Sequence, residues 1–216
     1  MIVVLLGPPG CGKGTQGERL AAALKVPKIS TGDVIRAAMK AGTPLGLQAK
    51  AFYDKGDLVP DALILDIMRE ALAAPEQAKG VILDGVVRTV PQAEGLARVL
   101  QGLGKAVGLV LMFDIADDEL VGRLSARTVC EACGTIFRGR SPGEEHAECT
   151  STPRGRIIRR KDDEPDAIRN RLQVYHAQTA PVLAWYKANK GPLKEIDASG
   201  TVDEITARMM AAAGPG

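Results

Sequence analysis

Gly7-Pro8-Pro9-Gly10-Cys11-Gly12-Lys13-Gly14-Thr15 is the stretch on which the reading of this 216-residue chain turns. It follows the apolar run Ile2 to Leu6 and opens a helical pattern over 13–24, the strand, glycine loop and helix order of a phosphate-binding P-loop. Glycines reach backbone conformations closed to other residues and let several N–H groups converge. With the N-terminus of the following helix they form a nest for phosphate oxygens. Lys13 adds a point charge against the phosphates to be moved. The general motif carries Ser or Thr directly after the lysine, whereas here Gly14 intervenes and Thr15 follows. Magnesium is therefore expected to be held mostly through water and substrate phosphates. Cys11 reads as a small loop residue.

Outward from this loop, short β-rich runs alternate with longer Ala/Leu-rich stretches. Ile2 to Leu6, Pro27 to Ile29, Val81 to Leu83, Gly108 to Phe113 and Leu193 to Ile196 read as strands. Helices are expected at 13–24, 31–41, 61–74, 90–102, 117–127, 165–188 and 201–212. Pro165 suits a first helical turn, and Thr201 with Glu204 has capping-box spacing. The alternation predicts an α/β fold: a P-loop three-layer α/β/α core with about five parallel strands. Two regions break the rhythm, 30–59, largely helical, and 126–163, rich in Gly, Pro, Cys and Arg. Both read as insertions able to move as lids on a core of 1–29, 60–125 and 164–216.

Composition bounds the function. A formal charge of +2 and 3% aromatic residues provide neither a broad basic surface nor stacking platforms for nucleic acid. Any polyanion must meet a local cluster of cations. The six-residue apolar start lacks a basic leader and is too short to span a bilayer, so a cytoplasmic protein without membrane association is expected. Three of the four cysteines, Cys130, Cys133 and Cys149, crowd into one segment, which suits metal better than disulfides.

The loop form GxPGxGKGT resembles that of nucleoside monophosphate kinases, and the likeness continues along the chain. Ser30-Thr31-Gly32-Asp33 with Arg36, Gly56-Asp57-Leu58-Val59-Pro60, and Asp84-Gly85-Val86-Val87-Arg88-Thr89 with Gln92 are similar to the acceptor-side motifs of adenylate kinases. Arg123, Arg127, the Cys-x-x-Cys segment, Arg160-Lys161-Asp162-Asp163 and Arg171 match the lid and its exit. The resemblance implies reversible transfer of the terminal phosphoryl group of Mg·ATP to AMP, giving two ADP, by a monomer.

It also implies roles. Gly10, Cys11, Gly12, Lys13, Gly14 and Thr15 would bind ATP, with Arg127 over its base and Ile136, Phe137 and Gly200 also touching it. Thr31, Arg36, Asp57, Leu58, Val59, Gly85, Val86, Val87, Arg88 and Gln92 would bind AMP, joined by Arg160 and Arg171. Catalysis would fall to Lys13, Arg88, Arg123, Arg160 and Arg171, with Asp84 orienting magnesium-bound water. Val86-Val87 departs from the family's usual Phe-Pro, which predicts looser packing beside AMP. A kinase for UMP or CMP on the same scaffold is the alternative.

Cys130-x-x-Cys133 is half of a zinc site, since two thiolates at this spacing bind one tetrahedral ion from a tight turn. His146-x-x-Cys149 completes a Cys₃His set, the expected structural zinc site; a metal-free lid using Thr152 is the other reading. Eight arginines from 123 to 160 also allow a zinc ribbon for nucleic acid, but Glu131, Glu144, Glu145 and Glu148 interrupt that patch. That alternative would leave the P-loop without a purpose.

Overall fold

The computed structural model describes residues 1–214 except 56, 58, 74–78 and 190, and only the backbone of 37, 38, 45, 63, 66, 67, 70 and 71. Five strands, β1 (Ile2–Leu6), β2 (Lys28–Ser30), β3 (Val81–Asp84), β4 (Val107–Asp114) and β8 (Leu193–Asp197), form a sheet in the order β2-β3-β1-β4-β8. Every pairing is parallel. Side chains alternate across a strand, so Ile2, Val4 and Leu6 enter one apolar layer and Val3 and Leu5 the other. All five are buried, as a parallel sheet covered on both faces requires.

Helices α1 (Lys13–Leu24), α4 (Asp61–Ala73), α5 (Val90–Gly102), α6 (Asp117–Ser125) and α9 (Val202–Ala213) contribute to the two layers. Helix α1 begins at Gly12, whose φ of 102° places it in the left-handed region that favours glycine. Thr201 and Glu204 form the anticipated capping box at the start of α9. Helix α5 opens on Thr89, whose hydroxyl accepts from the Gln92 N–H, with Pro91 in its first turn.

Three expectations are corrected in detail. The region 30–59 begins with Ser30 still in β2 and then holds two helices, α2 (Thr31–Lys40) and α3 (Pro44–Lys55). The helix expected over 117–127 stops at Ser125, because Arg127 opens strand β5 (Arg127–Cys130), where Thr128 and Val129 favour extended backbone. The helix expected over 165–188 is interrupted: α7 (Pro165–Val174) passes through a π-helical turn at Tyr175–Thr179 into α8 (Ala180–Ala188). Ile168 and Leu172 pack in one layer, whereas Val182 and Tyr186 pack in the other.

Between α6 and α7 lies a second, antiparallel sheet in the order β6-β5-β7, from β6 (Ile136–Arg138), β5 and β7 (Ile157–Ile158). Its buried apolar side chains are few: Val129, Ile157 and the thiols Cys130 and Cys149.

Candidate active site

Strands β1 and β3 end at one edge of the core, and the P-loop and Asp84 leave from there. The cleft above them has a volume of about 600 Å³ and is lined from all sides: Lys13 and Thr15 from α1, Arg36 from α2, Asp84 from β3, Arg123 from α6 and Arg171 from α7. Seven arginines (36, 88, 123, 127, 138, 160 and 171) and two lysines face three carboxylates, those of Glu18, Asp33 and Asp84. Like charges held this close repel one another, so the arrangement suits a polyanion.

Electrostatics report the same crowding. Burial first, and then the charges of Arg36 and Arg127, pull the Arg160 guanidinium down to about 10. Burial and the charge of Arg171 likewise hold Arg88 below the ordinary arginine range. Arg123 Nη1 and Arg160 Nε are buried without a hydrogen-bond partner among the described residues. A phosphate oxygen at either would satisfy a donor whose isolation is costly. Lys13 Nζ donates to the carbonyls of Gly7 and Pro8, both at 2.7 Å, which holds its ammonium at the loop.

A smaller pocket of about 70 Å³ opens beside the cleft and shares Gly32, Arg36, Gly85, Arg88 and Arg171 with it. Its remaining wall includes Thr31, Ile35, Tyr53, Asp57, Val59, Ile64 and Gln92. The buried Thr31 hydroxyl donates to the Gly85 carbonyl at 2.8 Å, and Arg88 Nε donates to the same carbonyl at 3.0 Å. Gly85 has φ +70°, and a Cβ there would lie 3.0 Å from Arg88 Nη2, so a larger residue would displace the arginine. Gln92 accepts from the Arg88 N–H at 2.7 Å and donates to Asp61 at 2.8 Å, which fixes its amide.

Cys11 is fully buried behind the loop, and Asp84 Oδ2 would be 3.7 Å from a Cβ at Gly14. Arg127 forks onto the buried Asp163, with Nε donating at 2.7 Å. Ile136 lines the cleft, whereas the Phe137 ring meets the His146 ring edge-on at 4.9 Å, on the opposite side of its strand. Gly200 is outside the cleft lining, beside Glu204, though Val202 reaches it. Leu58 falls outside the described residues. Val86 and Val87 are each 1% exposed and pack with the apolar layer, and Val87 also borders the cleft.

Tyr53, Arg138 and Tyr175 line these cavities without having been anticipated. Arg138 lies directly opposite Arg127 in the β5–β6 register, so the two share a face. Recognition of that hairpin would have revealed it, because opposite residues on antiparallel strands point the same way.

Beside the cleft, whose lining Cys133 joins, Cys130, Cys133, His146 and Cys149 bring their ligand atoms within 4.8 Å of one another. Cys130 and Cys149 sulfurs are 3.7 Å apart, and Cys133 Sγ is 3.3 Å from His146 Nδ1. Tetrahedral zinc with bonds of about 2.3 Å to sulfur needs sulfur–sulfur edges of roughly 3.8 Å, so the donor set fits that ion. The Gly155 N–H, foremost, draws the Cys149 thiol down to about 6, while burial pushes the Cys130 thiol up.

A P-loop beneath an arginine-rich cleft, with a second pocket opening into it, defines a phosphotransferase of two ligands. Comparison with known proteins narrows this class. The adenylate kinase family profile matches residues 5–191. The chain is 61% identical to an adenylate kinase of Gemmatimonas aurantiaca over 98% of both chains. It is 46% identical to one of Methanocella arvoryzae, again over 98% of both, and 46% identical to one of Lysinibacillus sphaericus over 96% of this chain and 95% of the relative. The chain belongs to the adenylate kinase family.

Proposed function

We propose that this chain moves the terminal phosphoryl group of Mg·ATP onto AMP and back, with ATP in the larger cleft and AMP reaching from the smaller pocket. The observation carrying this reading is the shared wall. Arg36, Arg88 and Arg171 line both cavities, so two nucleotides placed in them meet at those three guanidinium groups.

The P-loop N–H groups and Lys13 hold the donor phosphates, and Arg36 and Arg88 hold the acceptor phosphate. An acceptor oxygen forms a bond to the γ-phosphorus as the bond to the β,γ-bridging oxygen breaks, and ADP leaves with that electron pair. Arg123, Arg160 and Arg171 surround the group in transit. No side-chain nucleophile is required, because alignment and charge stabilisation suffice. Each well-placed donor contributes about 3–4 kcal/mol at the transition state. Magnesium, when bound with ATP, neutralises phosphate charge; Asp84 and Thr15 would hold it through water. Thr31, Asp57, Val59 and Gln92 select the acceptor base.

Segments 30–59 and 126–163 act as two lobes that close to exclude water, the competing acceptor. Cys130, Cys133, His146 and Cys149 would hold a structural zinc that pins the second lobe. We further place the enzyme in the cytoplasm as a monomer. Among the described residues no helix is long and apolar enough to cross a membrane.

Mixing the protein with Mg·ATP and each of the four nucleoside monophosphates tests the assignment. ADP should accumulate fastest with AMP. A faster yield of UDP or CDP would replace AMP by that acceptor.

A further inference from the structure

Tyr53 belongs to α3 and stands where three parts of the molecule meet. It lines the smaller pocket together with Thr31, Val59 and Gln92. Its hydroxyl donates to Asp162 Oδ1 at 2.8 Å and accepts from Arg36 Nη1 at 3.5 Å. The other oxygen of Asp162 pairs with Arg171 Nη1 at 2.8 Å. One phenol therefore joins two arginines of the cleft through a single buried carboxylate.

We propose that Tyr53 has two separable duties: its ring selects the acceptor base, and its hydroxyl acts as a positioning group that sets Asp162 and, through it, Arg171. This inference rests on the assignment of the smaller pocket to the acceptor nucleotide.

The chemistry of the chain Arg36–Tyr53–Asp162–Arg171 supports the division. A phenol accepts one hydrogen bond and donates another only while it keeps its proton. Burial, foremost, and the charge of Asp162 raise the Tyr53 pKa, so the proton stays in place at working pH. Burial pushes Asp162 upward, yet the charges of Arg171 and Arg127 and the Tyr53 bond together hold it below the usual carboxylate range. Asp162 is thus an anion with one oxygen assigned to Tyr53 and the other to Arg171. Without the phenol, Asp162 Oδ1 loses its donor and the carboxylate is held from the Arg171 side alone. Arg171 keeps its bonds to the Asp162 carbonyl at 2.8 Å and to Asp163 Oδ1 at 3.1 Å, so what loosens is its pairing with the Asp162 side chain.

The experiment uses the full chain and steady-state ADP formation with AMP varied. Tyr53→Phe keeps the ring and removes the hydroxyl. It should lower kcat about tenfold and leave the AMP KM within about twofold, with an unchanged melting temperature. Tyr53→Leu removes the ring as well, and should add about a tenfold rise in AMP KM. If the hydroxyl acts through the carboxylate, the kcat losses of Tyr53→Phe and Asp162→Asn will not add in the double variant.

Wild-type kcat in Tyr53→Phe, or additive losses, would overturn the positioning duty; unchanged AMP KM in Tyr53→Leu would overturn the selecting one. Arg88→Ala, measured alongside, separates this inference from the reading beneath it. If that variant retains wild-type AMP kinetics, the acceptor assignment itself is wrong. If it fails while the Tyr53 variants behave as wild type, only the present inference falls.

Discussion

The five-stranded core and the three-stranded sheet at 127–158 solve the same problem with different materials. In the core, β1 is buried along its whole length and apolar layers cover both faces. The smaller sheet buries little beyond Val129, Ile157 and three of the four clustered ligand residues, Cys130, His146 and Cys149, with Cys133 half-buried. A unit this small cannot gain enough from hydrophobic burial alone, so a metal or polar staple must replace the missing core. The comparison teaches that catalytic and structural failures should separate: damage to the P-loop should spare the fold, whereas damage to the thiols should spare the core.

The largest effect should come from Lys13→Met. Loss of this charge at the donor phosphates should lower kcat by about a thousandfold, with little change in the thermal midpoint. A midpoint that falls in parallel with activity would show that the loop also holds the core together.

Removal of one ligand by Cys149→Ser should act in the opposite sense. Zinc content should drop from about one per chain, hydrogen exchange should rise across 127–158 and stay unchanged in β1, β3 and β4, and kcat should fall about tenfold through loss of the pinned lobe. Wild-type protein with less than one zinc per two chains would discard the metal-stapled account.

Thr201→Ala should be the mildest. It removes a capping box at the edge of the core, at a cost of about 1 kcal/mol and about 2–4 °C in the midpoint, without altering either KM.

Much of this division was legible in the sequence, for reasons particular to each region. Buried parallel strands must be continuous apolar runs, so Ile2 to Leu6 and Gly108 to Phe113 announced themselves, and the glycines with Lys13 fixed where the phosphate nest must lie. Thr201 and Glu204 read correctly because a capping box is local. The antiparallel sheet was harder. Its strands are two to four residues long, and too short a run carries no period. Arg138 was missed for that reason. Tyr53 was missed for another: its partner Asp162 is 109 positions away, and no local pattern signals a tertiary bond of that kind. The widened turn at 175–179 likewise left no mark, since an extra residue in a helix alters no residue type.

That turn has a mechanical consequence. The rod that leaves the three-stranded sheet begins among the side chains on one side of the core and ends among those on the other, changing allegiance where Val174, Tyr175 and Thr179 border the cleft. One inserted residue rotates everything downstream by about 100°, which is what turns Val182 and Tyr186 toward their own layer. A load applied at Pro165 is therefore shared by both apolar layers of the core, because the rod is anchored once in each.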